Sequence, residues 1–193
     1  AALSATPRTQ IIVADLDDHS FSFTAGQAVL AGLAEGSVKR PYSIACSPGQ
    51  AQQMNAIELL VQIDDHAAPD PHLERVVAGT TLRIEGPFGT FGLPADASGQ
   101  LLLIAGGTGI SPLRSIMWDT LERRPGVHIS LIYSARARPE LAYLDELTAL
   151  AEQQRIELLK QYIDQGGFIF AVANCNAAGF DDGFRELIGR MYP

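Results

Sequence analysis

The pattern of apolar and polar positions changes between the two halves of the 193-residue chain. In the first half, short apolar and β-branched runs are separated by clusters of Gly, Pro, Asp and Ser. These runs are "QIIVADL", "AVLAGL", "PYSIAC", "IELLVQI" and "TTLRIE". Runs of this length with such punctuation are typical of antiparallel strands. The first half therefore predicts an antiparallel barrel or sandwich.

After the linker-like stretch "LPADASGQ" at residues 93–100, the pattern alternates between strands and helices. "LLLIAGG" and "VHISLIYS" are continuous apolar runs, typical of strands buried on both faces. "RIELL" and "GFIFAVA" are further predicted strands, whereas "SPLRSIMWDTLERR", "PELAYLDELTALAEQQ" and "DDGFRELIGRM" have apolar residues at helical spacing. The alternation predicts a parallel α/β sheet. We therefore divide the chain into a β domain, residues 1–97, and a small α/β domain, residues 98–193.

Charge and composition narrow the possible functions. The formal net charge of −8 argues against nucleic acid or an anionic membrane surface as the main partner. The two cysteines, Cys46 and Cys175, lack a CxxC neighbour, and the four histidines are scattered, so we expect neither a disulfide scaffold nor a metal or iron–sulfur site. The apolar runs are too short to span a bilayer, and the first residues lack the apolar core of a secretion signal. We therefore expect a cytoplasmic protein without a membrane span.

The stretch "LLLIAGGTGISP" carries the sharpest chemical signal. A predicted strand leads into four loop residues, and Ser111 and Pro112 then open a predicted helix; the loop consists of Gly106, Gly107, Thr108 and Gly109. Glycines let a backbone approach a phosphate closely, and amides at a helix N-terminus favour an anion. The spacing is G-x-G-x-x-P, which differs from the usual dinucleotide fingerprint, and a plain glycine turn would give a similar string.

Two further stretches carry candidate binding residues. The strand "VHISLIYS" is followed by "ARARPE", so Ser134, Arg136 and Arg138 stand where NAD-binding units usually carry an acid. Arginines there favour a 2′-phosphate and hence NADPH, although a solvated basic loop would look the same. In "RPYSIACSP", Arg40, Tyr42 and Ser43 interrupt an apolar strand, which a capped strand with a surface arginine would also explain.

Together, "RPYS", "GPFGTFG" and "GGTGISP", in this order, resemble the ferredoxin–NADP⁺ reductase superfamily, which includes flavin reductases and oxygenase reductase components. The resemblance implies an N-terminal six-stranded antiparallel flavin-binding barrel and a C-terminal Rossmann-like NAD(P)-binding domain. It implies FAD as the cofactor, with FMN less favoured, and NADPH or NADH as the substrate.

The resemblance also implies roles for single residues. Arg40 would contact the flavin phosphates, Tyr42 would pack on the flavin and Ser43 would hydrogen-bond near flavin N5. Thr108 would line the nicotinamide site with Cys175 opposite, so Ser43 and Cys175 are the candidate catalytic residues. The implied cofactor-binding set is Arg40, Pro41, Tyr42, Ser43, Gly86, Pro87, Phe88, Gly89, Gly106, Gly107, Thr108, Gly109, Pro112, Ser134 and Arg136.

The chain departs from the family pattern in three places. Ala67 and Asp70 stand where a second phosphate motif has Gly and Ser, and His72 or backbone amides would have to substitute. Cys175 lacks the following Gly-Pro, and a buried core cysteine is the alternative reading. Only "KQYIDQG" separates the predicted strands "RIELL" and "GFIFAVA", too short for a helical crossover, which predicts a trimmed domain or absent residues. Near the C-terminus, Tyr192 could shield a flavin or simply belong to a frayed helix end.

The leading hypothesis is a flavoprotein oxidoreductase that transfers a hydride from NAD(P)H to bound FAD and passes electrons to an acceptor. The acceptor could be an iron–sulfur protein, a haem protein or free flavin. A non-catalytic flavin-binding electron-transfer subunit of a larger complex is the alternative, and a purely structural pair of domains is a third possibility.

Overall fold

A computed structural model describes residues 1–17, 20–63, 73, 76–94, 97, 99–124, 126–166 and 180–193 of the chain. The chain divides into two compact units, Ala1–Ala142 and Tyr143–Pro193. Among the described residues, the first unit holds the strands and the glycine loop, and the second holds two helices.

Six antiparallel strands form the first part of the first unit. One sheet has the order β1–β2–β5, with bounds Ala2–Thr6, Thr9–Asp15 and Ala56–Gln62, and the other has the order β4–β3–β6, with bounds Arg40–Ser43, Ala28–Leu33 and Leu82–Phe88. An antiparallel bridge between Ile44 and Leu59 joins the two sheets. The predicted six-stranded antiparallel arrangement is confirmed.

The two sheets enclose one apolar core. Along β2 and β5, every second residue faces inwards, as the two-residue period of a strand requires, so Ile12, Ile57 and Leu59 are fully buried. Val29 of β3 and Ile44 join them from the other sheet. Burying side chains of this size contributes roughly 1.5–3 kcal/mol each, so this core fixes the register of both sheets.

A short helix that the sequence analysis missed follows β4. Helix α1, Pro48–Met54, begins with a capping box in which the Ser47 hydroxyl accepts the Gln50 amide and the Gln50 side chain accepts the Ser47 amide. Asn55 ends the helix in the left-handed conformation. The stretch "SPGQ", which follows the predicted strand "PYSIAC", is therefore the start of a helix.

A parallel strand pair with one helix completes the first unit. Strands β7, Gln100–Gly106, and β8, His128–Ser134, pair in parallel, and helix α2, Ile110–Arg123, connects them. The expectation that these strands are buried on both faces was wrong. Leu103 and Ala105 are buried, but Leu102 and Ile104 are exposed, because α2 is the only described helix of this unit that packs on β7.

Helix α2 docks onto the strands through buried polar groups. The Arg114 guanidinium donates to the Ala45 carbonyl at 2.8 Å, and the Ser115 hydroxyl donates to the Cys46 carbonyl at 2.7 Å. The Ser47 hydroxyl donates to Glu122 at 3.2 Å. The first two bonds satisfy backbone carbonyls just beyond β4. Together the three bonds hold the helix that follows the glycine loop against the strand that carries "RPYS".

The second unit contains helices α3, Leu144–Asp164, and α4, Phe180–Met191. The final amphipathic helix is confirmed, but the predicted strand "RIELL" is wrong because residues 155–159 belong to α3. Leu, Glu, Lys and Gln around this short apolar run favour a helix, and a run of five cannot be assigned from periodicity alone. Residues 160–164 also belong to α3, which removes the reason to expect a trimmed crossover; "GFIFAVA", at residues 167–173, lies outside the described residues.

Tyr192, near the C-terminus, is held by contacts within the second unit. Tyr192 donates to the Asp164 carboxylate at 2.8 Å, and Lys160 lies 5.0 Å from the centre of its ring, so Tyr192 is fixed within this unit.

Among the described residues, no helix combines the length and apolar character needed to cross a bilayer.

Candidate functional site

The strand β3 brings two of the sequence motifs together. Ala28 pairs with Ser43 of β4 on one side and with Phe88 of β6 on the other. Because directly paired residues project to the same face of a sheet, the Ser43 hydroxyl and the Phe88 ring lie on one face, beside Ala28. "RPYS" and "GPFG", which are more than forty residues apart in the sequence, therefore meet at one end of this sheet.

Arg40 and Tyr42 occupy the opposite face of β4. Tyr42 pairs with the buried Val29 and packs against the core, whereas Arg40 is exposed at the start of the strand. The neighbouring Lys39 forms an ion pair with Glu85, but the Arg40 guanidinium has no such partner among the described residues. Ser43, the last residue of this motif, projects to the other face of the strand, so the motif presents its arginine and its hydroxyl on opposite faces.

The stretch "GPFG" ends β6 rather than forming the tight hairpin that the same string would allow. An extra residue in β6 opposite Ala28–Leu30 makes an irregularity at Gly86 and Pro87. Gly86 has φ +141°, and a Cβ there would lie 3.3 Å from the Ala28 carbonyl oxygen, so only glycine fits without strain. Gln27 donates to the Gly89 carbonyl at 2.9 Å and holds the end of this stretch in place.

The glycine loop has the strand–turn–helix order expected from the sequence. Gly106 ends β7, Gly107–Gly109 form a 3₁₀ turn, and α2 begins at Ile110 with Pro112 in its first turn. Gly107 has φ +50°, and a Cβ added to Gly107 or Gly109 would meet no atom within 4 Å. The turn therefore leaves open space beside its backbone, where a phosphate could approach the amides that open α2.

Tyr133, which the sequence analysis missed, ties the glycine loop to the segment after β8. Its hydroxyl donates to the Gly107 carbonyl at 3.1 Å and accepts the Ala142 amide at 3.2 Å. Burial raises the pKa of the Tyr133 phenol above its ordinary value, so the phenol stays protonated and keeps donating to the Gly107 carbonyl. Ser134, the next residue, pairs with Gly106 and donates to the Ala105 carbonyl at 3.4 Å.

A cleft of about 240 Å³ lies between the β1–β2 turn and the glycine loop. It brings together Gly107, Thr108 and Arg136, which the sequence analysis selected, with three residues that it missed, Arg8, Gln62 and Glu140. The complete lining is Thr6, Arg8, Thr9, Gln62, Gly107, Thr108, Ala135, Arg136 and Glu140. Strand β5 also contacts the 3₁₀ turn, so the barrel and the loop share this cleft.

The donor groups at these places fit a flavin and a dinucleotide. The Arg40 guanidinium and the Ser43 hydroxyl make no hydrogen bond to the described residues, so both can bind an added group. An arginine suits phosphate and a small hydroxyl suits a ring nitrogen. The open side of Gly107 suits the diphosphate of a dinucleotide.

Cys175, the second candidate catalytic residue, lies outside the described residues, as do Ala67, Asp70 and His72. No group of three or more His, Cys, Asp and Glu that could hold a metal is found in the described part of the chain.

Comparison with known families identifies the class of protein that this fold and site define. Residues 3–92 match the family model of the oxidoreductase FAD-binding domain, and residues 103–166 match that of the oxidoreductase NAD-binding domain. The chain belongs to the ferredoxin–NADP reductase-like superfamily of FAD- and NAD-binding oxidoreductases. The expected FAD cofactor and nicotinamide nucleotide are thereby confirmed as the groups for which its domains are built.

Several characterised proteins are similar to the chain. The chain is 36% identical to "Ferredoxin--NADP reductase B" of Sorangium cellulosum (strain So ce56), over 70% of this chain and 55% of that protein. It is 31% identical to "Terephthalate 1,2-dioxygenase, reductase component 2" of Comamonas sp, over 88% of this chain and 49% of that protein. The chain therefore spans about half the length of these curated relatives.

Among solved structures, the Amycolatopsis cytochrome P450 reductase GcoB matches with a TM-score of 0.66 and 26% identity. The match covers 79% of this chain and 46% of that structure. This likeness supports the predicted fold, a flavin-binding barrel followed by a Rossmann-like domain.

Proposed function

We propose that the chain is the flavin- and nucleotide-binding part of an NAD(P)H-dependent reductase. It transfers a hydride from NAD(P)H to bound FAD, and the electrons then pass to a protein or small-molecule acceptor. One observation carries the proposal: the glycine turn Gly107–Gly109 lies against β5, the strand that Ile44, directly after Ser43, bridges. The two binding motifs thus belong to one compact unit.

Bound FAD supplies the hydride-accepting nitrogen N5 and can release electrons one or two at a time. Arg40 binds the flavin phosphates through charge-assisted hydrogen bonds, and Tyr42 offers a flat aromatic surface. Ser43 donates a hydrogen bond near N5, where a small side chain leaves room for the hydride donor. Pro41 and the stretch Gly86–Gly89 complete the flavin side of the site.

On the nucleotide side, the amides at Gly106–Gly109 and the start of α2 at Pro112 bind the diphosphate. Thr108 lines the nicotinamide site, with Cys175 on its other side. Ser134 and Arg136 bind the adenosine end and favour NADPH, because a guanidinium pairs with a 2′-phosphate. We further propose that the flavin domain covers residues 1–97 and the nucleotide domain residues 98–193, in line with the two family matches.

Transfer to an acceptor and location in the cell complete the proposal. The reductases that the chain resembles include proteins named for ferredoxin and for a dioxygenase, which supports an iron–sulfur or haem protein as acceptor, with free flavin as the other choice. We place the protein in the cytoplasm.

An absorbance spectrum of the purified protein, followed by anaerobic titration with NADPH and NADH, tests this function. We expect a flavin spectrum that bleaches on addition of either nucleotide. The Ser43→Ala variant should keep its flavin but be reduced about tenfold to a hundredfold more slowly, since one hydrogen bond to a charged group is worth roughly 1.5–3 kcal/mol. Ser37→Ala, an exposed serine in the loop before β4, is the matched control.

The outcomes separate the hypotheses. A bound flavin that neither nucleotide reduces would overturn the reductase and leave the electron-transfer subunit. A protein that cannot be loaded with FAD at all would overturn both.

A further inference from the structure

The cleft between the β1–β2 turn and the glycine loop contains an arginine for which the family resemblance gives no role. Arg8 lies at the turn of the β1–β2 hairpin and lines the same cleft as Gly107, Thr108 and Arg136. Its guanidinium makes no hydrogen bond or ion pair to the described residues, and neither does that of Arg136. The cleft therefore has one guanidinium on the barrel side and another beyond β8, and neither pairs directly with a described residue.

The position of Arg8 is fixed by its backbone. The Arg8 amide donates to the Thr6 hydroxyl at 3.1 Å, and the Thr6 and Thr9 hydroxyls bond to each other at 2.8 Å. The Ile63 amide donates to the Arg8 carbonyl at 2.7 Å, which ties the turn to the end of β5. Because these bonds already fix the backbone of the turn, little backbone entropy is lost when the Arg8 side chain binds a ligand.

The charge in the cleft contrasts with the rest of the molecule. The chain has a formal net charge of −8, yet the charged residues lining the cleft are Arg8, Arg136 and Glu140, which sum to one positive charge. Arg8 is half-buried, whereas Arg136 is exposed, and a half-buried guanidinium that lacks a partner costs solvation unless an anion binds beside it. The geometry favours an anionic ligand with phosphate groups that reach from the glycine loop towards the β1–β2 turn.

We propose that Arg8 binds the diphosphate of the nicotinamide dinucleotide from the barrel side, opposite the amides of Gly107–Gly109. Arg8 thus acts as a clamp that joins the two domains around the nucleotide. This inference rests on the proposed function. A guanidinium presents two donors to phosphate oxygens, which an ammonium or a hydroxyl cannot reproduce. Because the diphosphate is common to both nucleotides, Arg8 contributes equally to NADH and NADPH, whereas Arg136 selects between them.

The test measures binding of NAD⁺, NADP⁺ and ADP-ribose to the FAD-loaded protein by titration calorimetry. We expect Arg8→Ala to raise the dissociation constant of all three ligands by about tenfold to a hundredfold, with the FAD spectrum unchanged. Arg8→Lys should recover part of the loss. Arg136→Ala should weaken only NADP⁺, and Arg83→Ala, an exposed arginine on β6 outside the cleft, should change nothing.

Each other outcome overturns the inference. Unchanged affinity in Arg8→Ala removes Arg8 from the nucleotide site, a loss for NADP⁺ alone reassigns it to the 2′-phosphate, and a loss of FAD reassigns it to the flavin. If the wild-type chain binds FAD and nucleotide while Arg8→Ala behaves identically, only this inference fails. If the wild-type chain binds neither ligand, the proposed function fails and the inference falls with it.

Discussion

Tyr133 shows how a single phenol can hold the glycine loop, which is the proposed nucleotide site. Its two hydrogen bonds join the Gly107 carbonyl to the Ala142 amide, so they hold the glycine loop against the segment after β8. Tyr133→Phe removes both bonds at nearly constant volume. With each bond worth about 0.5–1.5 kcal/mol, we expect the KM for NAD(P)H to rise by roughly fivefold to a hundredfold while the FAD content stays constant.

Tyr192→Phe is the matched control, because it loses a hydroxyl bond to Asp164 in the second unit rather than at the loop. Steady-state kinetics with both nucleotides and the flavin absorbance are the measurements. Equal KM values for Tyr133→Phe and the wild type would show that the loop needs no such tie.

Cys46 gives the protein a pH-dependent stability. It is fully buried, its sulfur accepts the Glu58 amide at 3.4 Å, and burial raises the pKa of its thiol to about 11. The unfolded chain ionises this thiol near pH 9, before the folded chain does. The contribution of the neutral thiol to the free energy of unfolding is therefore complete below pH 9. It is lost as the pH rises towards 11, at up to about 1.4 kcal/mol per pH unit.

Urea unfolding between pH 8 and 11 tests this in a Cys175→Ser background, which leaves Cys46 as the sole thiol. A second variant that also carries Cys46→Ala should lose less free energy of unfolding over the same range, because other titrating groups are common to both. Parallel pH profiles for the two variants would contradict the shifted thiol.

At the residue scale, the sequence allowed the prediction of groups whose chemistry is local. Ser134 and Gly107 could be proposed as binding residues because a strand, a glycine loop and a second strand follow one another in the chain. Arg8, Gln62 and Glu140 were missed because they come from three distant segments that only the folded chain brings to one cleft. Their residue types are ordinary for surface turns, so no local pattern distinguishes them.

At the scale of elements, the contact between α2 and the strands includes one buried cation, Arg114. Arg114 donates to Ala45 at 2.8 Å and lies 3.4 Å from the Glu58 carboxylate, with side chains only 7% and 12% exposed. Arg114→Met leaves Glu58 without this charge partner in a buried place. We expect the free energy of unfolding to fall by about 3–5 kcal/mol, measured by urea denaturation.

Arg123→Met on the same helix is the control for this prediction. Its side chain is 63% exposed and pairs with Asp119 one turn earlier, so its loss should cost under about 0.5 kcal/mol. Adding Glu58→Gln to Arg114→Met should restore part of the lost stability. Similar small losses in Arg114→Met and Arg123→Met would show that the buried pair contributes little.

Elements such as β5 and α2 were predicted correctly from the sequence. They have either a hydrophobic period that continues over several turns or a clear apolar run between turn residues. The errors came from short signals with two meanings. Residues 155–159 carry three apolar positions that suit either a strand or a helix turn, and the length of α3 decided the outcome. The start of α1 at Ser47 did carry a capping-box signature, Ser followed three residues later by Gln, which outweighs the turn-like Pro-Gly between them.

At the scale of the whole molecule, the antiparallel strands and the segment β7–α2–β8 belong to one compact unit. The compact unit Ala1–Ala142 contains the whole FAD-binding match, residues 3–92, and part of the NAD-binding match, which runs from residue 103 to residue 166. The polar bonds from α2 and the buried Ile116, whose Cδ1 lies against Gly26, explain why this unit is continuous. The flavin-binding strands thus depend on a helix that the sequence assigns to the nucleotide-binding domain.

A comparison of two fragments tests this dependence. A fragment of residues 1–97 lacks Arg114, Ser115 and Ile116, so it exposes the surface that Ile116 covers and leaves the Ala45 and Cys46 carbonyls without their partners. Loss of one buried side chain of this size alone costs about 1.5–3 kcal/mol. We therefore expect the 1–142 fragment to unfold cooperatively in urea with at least about 2 kcal/mol more stability than the 1–97 fragment, as followed by circular dichroism. The 1–142 fragment carrying Arg83→Ala should match its parent, because Arg83 is remote from α2 contacts, whereas equal stability of the two fragments would mean that the strands fold independently of α2 and that the interface serves only to position the glycine loop.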